Sequence, residues 1–137
     1  MKDEAKIWLD FANENFQSAK ILLASELFNP CLQNVQQCVE KALKSLLIEY
    51  SIKLKKTHSI AKLKNLLHSR KIDAEISDED CEFLDSIYLP SKYPISSVLP
   101  YYQPDLQICN KGISIAESVL KSVQNILKNL ESTIQES

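Results

Sequence analysis

The sequence contains a single glycine, Gly112, and a single arginine, Arg70, among its 137 residues. With one glycine and only five prolines, a sandwich or barrel built on frequent tight turns is excluded, and so is a low-complexity chain. Neither sign of charge dominates. Sixteen basic and eighteen acidic side chains leave a formal charge of -2, so any contact with a polyanion has to come from a local patch. No stretch approaches the roughly 18 uninterrupted apolar residues of a membrane span, and Met1-Lys2-Asp3-Glu4-Ala5-Lys6 lacks the apolar run of a signal peptide. These absences predict a cytoplasmic protein with no membrane partner. The four cysteines (Cys31, Cys38, Cys81 and Cys109) form no C-x-x-C pair, and only His58 and His68 are there to join them. They read as small buried hydrophobes, with no disulfide framework, metal or other cofactor expected.

What the sequence does have is apolar residues at three-to-four spacing, the mark of amphipathic helices. From about Asp3 to Glu26 the stripe is Ala5, Trp8, Ala12, Phe16, Ala19 and Leu23. Asn29-Pro30 is expected to break it, and a second helix should run from about Pro30 to Ser51 with a broad apolar face from Leu32 to Tyr50. Thr57-His58-Ser59 offers hydroxyls for an N-cap, opening a short helix that ends near Arg70. Ser77 with Asp80 opens a fourth helix that Pro90 should stop. Leu89 to Gln103 reads as a loop carrying Lys92, Tyr93, Tyr101 and Tyr102, and ordered loops of that length tend to be functional. The last helix runs from Asp105 to about Glu131; at ~1.5 Å per residue it is roughly 40 Å long, and part of its stripe is expected to face a second subunit. The prediction is an all-α, up-and-down bundle of three long and two short helices, one domain over residues 1–137.

Several blocks, in this order, look familiar: Trp8 with Ala12, then Gln36-Gln37-Cys38-Val39-Glu40-Lys41-Ala42-Leu43-Lys44, then Lys56-Thr57-His58-Ser59-Ile60, then Lys92-Tyr93-Pro94. The chain resembles the HEPN domain family over about Trp8 to Leu127. That resemblance implies a helical bundle, frequent homodimers, and one of two roles. One is binding a nucleotide or nucleotide-bearing substrate beside a minimal, separately encoded nucleotidyltransferase, as in toxin–antitoxin pairs. The other is metal-independent cleavage of RNA. The nuclease branch carries an Arg followed four to six residues on by a His, whereas here Ala74, Glu75 and Ile76 follow Arg70 at those distances. Lys92 also stands where relatives often have Arg, which keeps the charge and loses the bidentate fork.

The candidate nucleotide-binding residues are Gln37, Glu40, Lys41, Lys44, His58, Lys92 and Tyr93. Amides can read base or ribose edges, ammonium groups neutralise phosphate, and an aromatic beside a cation can stack a base. The blander reading of the second helix is a solvated face with a Glu40–Lys44 ion pair, or a partly buried Glu40 that holds the Lys92 loop. His58 reads as a corner-locking histidine or as a weak candidate for catalysis; no catalytic residue is assigned, and His68 is expected at the surface. The leading expectation is therefore a module for a nucleotide of the ATP or GTP class, or for RNA. A ribonuclease using His58 with Lys41 or Lys92 and a protein–protein adaptor are the alternatives.

Overall fold

The computed structural model describes residues 1–54, 56–92 and 104–136, with the side chains of 89–92 and 133–136 outside that description. Five helices follow in order: α1 (Asp3–Ala24), α2 (Phe28–Glu49), α3 (Ile60–His68), α4 (Asp78–Lys92) and α5 (Leu106–Glu136). No strand occurs among the described residues.

The helix starts are chemical. Ser59 Oγ accepts from Lys62 N (3.2 Å), Ser77 Oγ from Asp80 N (3.1 Å) and Asp105 Oδ1 from Ile108 N (2.8 Å), each satisfying an amide that the first turn leaves without a partner. The helix ends share one device. After α1, Glu26 has φ 58°, Leu27 N donates to Leu22 O (2.9 Å) and Glu26 N donates to Leu23 O (2.9 Å), the paired bonds of a Schellman motif. Ser51 with Ile52 ends α2 in the same way, and Lys71 with Ile72 ends α3. A chain with one glycine, used elsewhere, has to place larger residues in these left-handed positions.

Two expected boundaries move. The break between α1 and α2 falls at Ser25–Leu27 and not at Asn29-Pro30, so Pro30 lies in the first turn of α2, where its missing N–H costs no intrahelical bond. Pro90 does not end α4, which continues to Lys92; a proline so near a helix end forfeits a single backbone bond.

α2 is the axis of the bundle and packs against each of the other four helices. From Cys38 to Leu47 every residue but Lys41 is buried, so the helix is enclosed on nearly all sides. Gly112 lets α5 approach: a Cβ there would sit 3.2 Å from Val35 Cγ1 and 3.3 Å from Leu32 Cδ2. The stripe of α5, with Cys109, Ile115, Ala116, Val119, Leu120, Val123 and Leu127, is buried against α2 and α1. Ile126 and Leu130, further along the same stripe, are only partly buried. The exposed large apolar groups lie mostly on and around α1: Ile7, Phe11, Ile21 and Leu27.

Candidate functional site at the His58 corner

Enclosing α2 brings polar side chains inside. Gln36, Glu40 and Lys44 succeed one another every fourth residue, stand one above another on the helix, and are all buried. Burying charge is tolerable only when it is paired and hydrogen-bonded, and here it is. Lys44 Nζ donates to Glu40 Oε2 at 3.0 Å and lies 5.5 Å from the centre of the Trp8 ring. Glu40 Oε1 receives Gln36 Nε2 at 3.3 Å and meets His58 Nδ1 at 3.0 Å. Gln36 Nε2 also donates to the His58 carbonyl at 3.1 Å, and Gln37 Nε2 donates to Gln36 Oε1 at 2.8 Å. The corner before α3 is thus held at both backbone and ring.

Asp85 on α4 clamps the same corner from the other side. Its carboxylate accepts from Ser59 Oγ (3.0 Å), Ile60 N (2.6 Å) and Ala61 N (3.3 Å), filling the positive end of α3. One turn on, Tyr88 stacks on His58 with ring centres 4.9 Å apart and planes 17° apart. The result is an imidazole fixed by Glu40 and Tyr88 whose side chain is still 55% exposed. It opens on a groove of about 460 Å³ lined by Lys56, Thr57, Ser59, Lys62, Asp85 and Tyr88 as well as by His58 itself. Glu40 already accepts from Lys44 and Gln36, so it acts as the acceptor toward Nδ1. The Nδ1 proton then lies on the Glu40 side.

The structure therefore brings Gln37, Glu40, Lys44 and His58 together, with only His58 substantially at the surface. Lys41 lies elsewhere: its Nζ donates to Asn15 Oδ1 on α1 at 2.9 Å and sits 5.6 Å from the Phe11 ring. Lys92 closes α4 with its side chain outside the described residues, and Tyr93, Tyr101 and Tyr102 lie outside them altogether. His68 is exposed, as expected. Sequence reasoning missed Gln36 as the hub of the row, although its four-residue step to Glu40 was there to read. It also missed Asp85 and Tyr88, which join the corner from about 24 to 30 residues away and leave no local pattern.

All four cysteines are free and buried. Burial, reinforced by Cys109, pushes the Cys31 thiol from an ordinary 9.0 to about 12; burial also takes Cys38 to about 12 against the opposing pull of Lys41, and Cys81 to about 11. Among the described residues no group of His, Cys, Asp or Glu is arranged to hold a metal ion, and no helix is long and apolar enough to cross a membrane.

A helical module with an amide–carboxylate–ammonium row inside its central helix, pinned to a Thr-His corner, defines a recognisable class. The HEPN domain matches residues 5–129, and the chain belongs to the HEPN domain family. It is 26% identical to a protein of Methanocaldococcus jannaschii named "Putative toxin MJ1304", over 90% of this chain and 88% of that one. Among solved structures it is similar to ST0689, described as an archaeal HEPN homologue, at 26% identity with a TM-score of 0.68, covering 91% of this chain and 98% of that one. TT1696 from Thermus thermophilus shares the fold at 23% identity with a TM-score of 0.74, over 90% of this chain and 98% of that one.

Proposed function

We propose that the chain is the HEPN component of a toxin–antitoxin-like pair and binds a nucleotide, or a substrate bearing one, in the groove at His58, with a separately encoded nucleotidyltransferase as its partner. The observation that carries this reading is the half-exposed His58 ring, held by a buried carboxylate and stacked on Tyr88 above a groove edged by Lys56 and Lys62. Neither lysine is in an ion pair among the described residues, so both ammonium groups are available to phosphate. The name of the M. jannaschii relative supports the toxin setting. In this reading Glu40 and Lys44 position the site from beneath, and His58 touches the ligand. Calorimetry with ATP and GTP at millimolar concentration tests it. Heat that saturates, and that is lost in His58→Ala with the fold intact, is the expected result; no heat with either nucleotide ends the reading.

The contact between Glu40 Oε1 and His58 Nδ1 favours a second reading. A carboxylate that holds one ring nitrogen leaves the other for proton transfer to or from a ligand, the chemistry that metal-free RNA cleavage needs. A gel assay on structured RNA separates the two readings: cleavage by the wild type that disappears in His58→Ala makes the protein a ribonuclease, and no cleavage by either leaves the binding role.

We propose further that the protein acts as a homodimer. The apolar face left exposed is on α1, where Ile7 (53% exposed), Phe11 (47%) and Ile21 (67%) recur at helical spacing.

A further inference from the structure

Charge is sorted by sign along the middle of the chain. From Lys53 to Lys71 there are seven Lys or Arg and no Asp or Glu; from Asp73 to Asp85 there are seven Asp or Glu and no Lys or Arg. The fold lays these two runs side by side. Lys64 of α3 meets Asp78 at the start of α4 at 2.8 Å, while Ser59 and Ile60 at the start of α3 meet Asp85 further along α4, so the two helices run in opposite directions. Ile60, Leu63 and Leu67 turn one side of α3 inward, and Cys81, Leu84 and Ile87 do the same for α4, which leaves the charges outside. Asp78, Glu82 and Asp85, four and three residues apart, share the flank of α4 next to α3. Among the described residues, Lys64–Asp78 is the one ion pair that joins the two runs. Arg70 and Lys71 on one side, and Glu79 and Glu82 on the other, are exposed and outside any ion pair among the described residues.

From these two rows we infer that the outer surface of the α3–α4 pair is where the partner protein docks, and that the partner presents a reciprocal surface, acidic against α3 and basic against α4. The inference rests on the proposal of a protein partner and gives that partner a place on the molecule. A ligand of one sign is a poor fit. A polyanion following α3 would lie against the carboxylates of α4, and like charges brought together across an interface cost affinity. A polypeptide surface can carry both signs in register. The rows also select one pose, because a partner rotated by half a turn would set acid on acid and base on base. A second copy of this chain carries both rows too. Its association is already assigned to the apolar face of α1, and another self-complementary face would carry assembly past the dimer proposed above. The occupant is therefore a different protein. The seam between the rows is where the His58 groove opens, with Lys56 and Lys62 lining it from one side and Asp85 and Tyr88 from the other, so a partner seated on both rows lies over the proposed nucleotide.

The test is a calorimetric titration of the purified chain with the nucleotidyltransferase encoded by the adjacent gene, at low and at high salt, on the wild type, Arg70→Glu and Glu82→Lys. Both side chains are exposed and outside the His58 groove, so the melting temperature and ATP binding should be unchanged. Each reversal should weaken the complex by about tenfold at low salt, and the difference from the wild type should shrink at high salt. A partner that is only acidic gains a cation from Glu82→Lys, so tighter binding by that variant would overturn the inference. Displacement of the nucleotidyltransferase by a single-stranded RNA of about ten nucleotides would overturn it as well, because the surface would then belong to a polyanion. If both variants bind as the wild type does, the docking surface is wrong and the partner proposal stands without it. A lower sedimentation mass of the chain alone in either variant would assign the rows to a second copy and end the inference. No binding by the wild type would remove the partner proposal itself, and this surface with it.

Discussion

Glu40 shows most clearly how one side chain serves both the core and the site. It holds Lys44 within α2 and His58 across the corner, so Glu40→Ala strands a buried ammonium and frees the ring. Breaking a buried pair from one side typically costs about 3–5 kcal/mol. Chemical denaturation should show a loss in that range, and Glu40→Gln a smaller one, because the amide still accepts from Lys44. The thiols give a second expectation. Between about 9 and about 12, Cys31 and Cys38 keep their protons in the folded chain while an unfolded chain has released them. Their contribution is fully present below pH 9, and stability falls as the pH rises above it. Melting temperatures measured from pH 8 to 10.5 should therefore decline, and a thiol reagent at pH 8 should label the denatured protein but not the native one.

Helix ends are where this chain stores strain. Glu26, Ser51 and Lys71 sit at φ between 56° and 62°, closing α1, α2 and α3 with bonds that favour glycine. A left-handed position costs a non-glycine residue roughly 1–2 kcal/mol, partly offset by the greater freedom glycine loses on folding. Glu26→Gly and Lys71→Gly, both at exposed positions, should each raise stability by about 0.5–1 kcal/mol, read as a higher denaturation midpoint with an unchanged slope. The start of α3 is the opposite case, since Asp85 caps it from another helix. Asp85→Ala should cost about 2 kcal/mol and loosen the His58 corner, so that the melting temperature and the proposed nucleotide affinity fall together.

The assembled bundle adds constraints that no single helix carries. Gly112 is required by the proximity of α5 to α2, and Gly112→Val would drive methyl groups into Val35 and Leu32 at a cost of about 1–3 kcal/mol. The exposed face of α1 leads to the expectation that sedimentation gives about twice the 15.6 kDa chain mass, and that Phe11→Glu returns a monomer with its helical spectrum intact. A wild-type mass near that of one chain would end the dimer proposal.

The five helices were legible in the residues because each must bury one stripe, and the 3.6-residue period writes that stripe into the sequence. Ser59, Ser77 and Asp105 were legible as starts because capping is local chemistry. The ends of α1 to α3 were legible to within two residues, where the apolar period stops, but their left-handed closures were not, since the usual marker, glycine, is replaced by Glu26, Ser51 and Lys71. The row on α2 was visible as a pattern, but its fate was not. Periodicity says which residues share a face, and only the packing of α3 and α4 around α2 decides whether that face meets water or protein. It meets protein: Glu40 and Lys44 went inside and His58 was left at the surface, because the partners that enclose them come from distant parts of the chain. Local periodicity and capping lie within one turn of helix and are fixed by neighbouring residues, whereas burial and long-range pairing depend on which helices come to lie side by side.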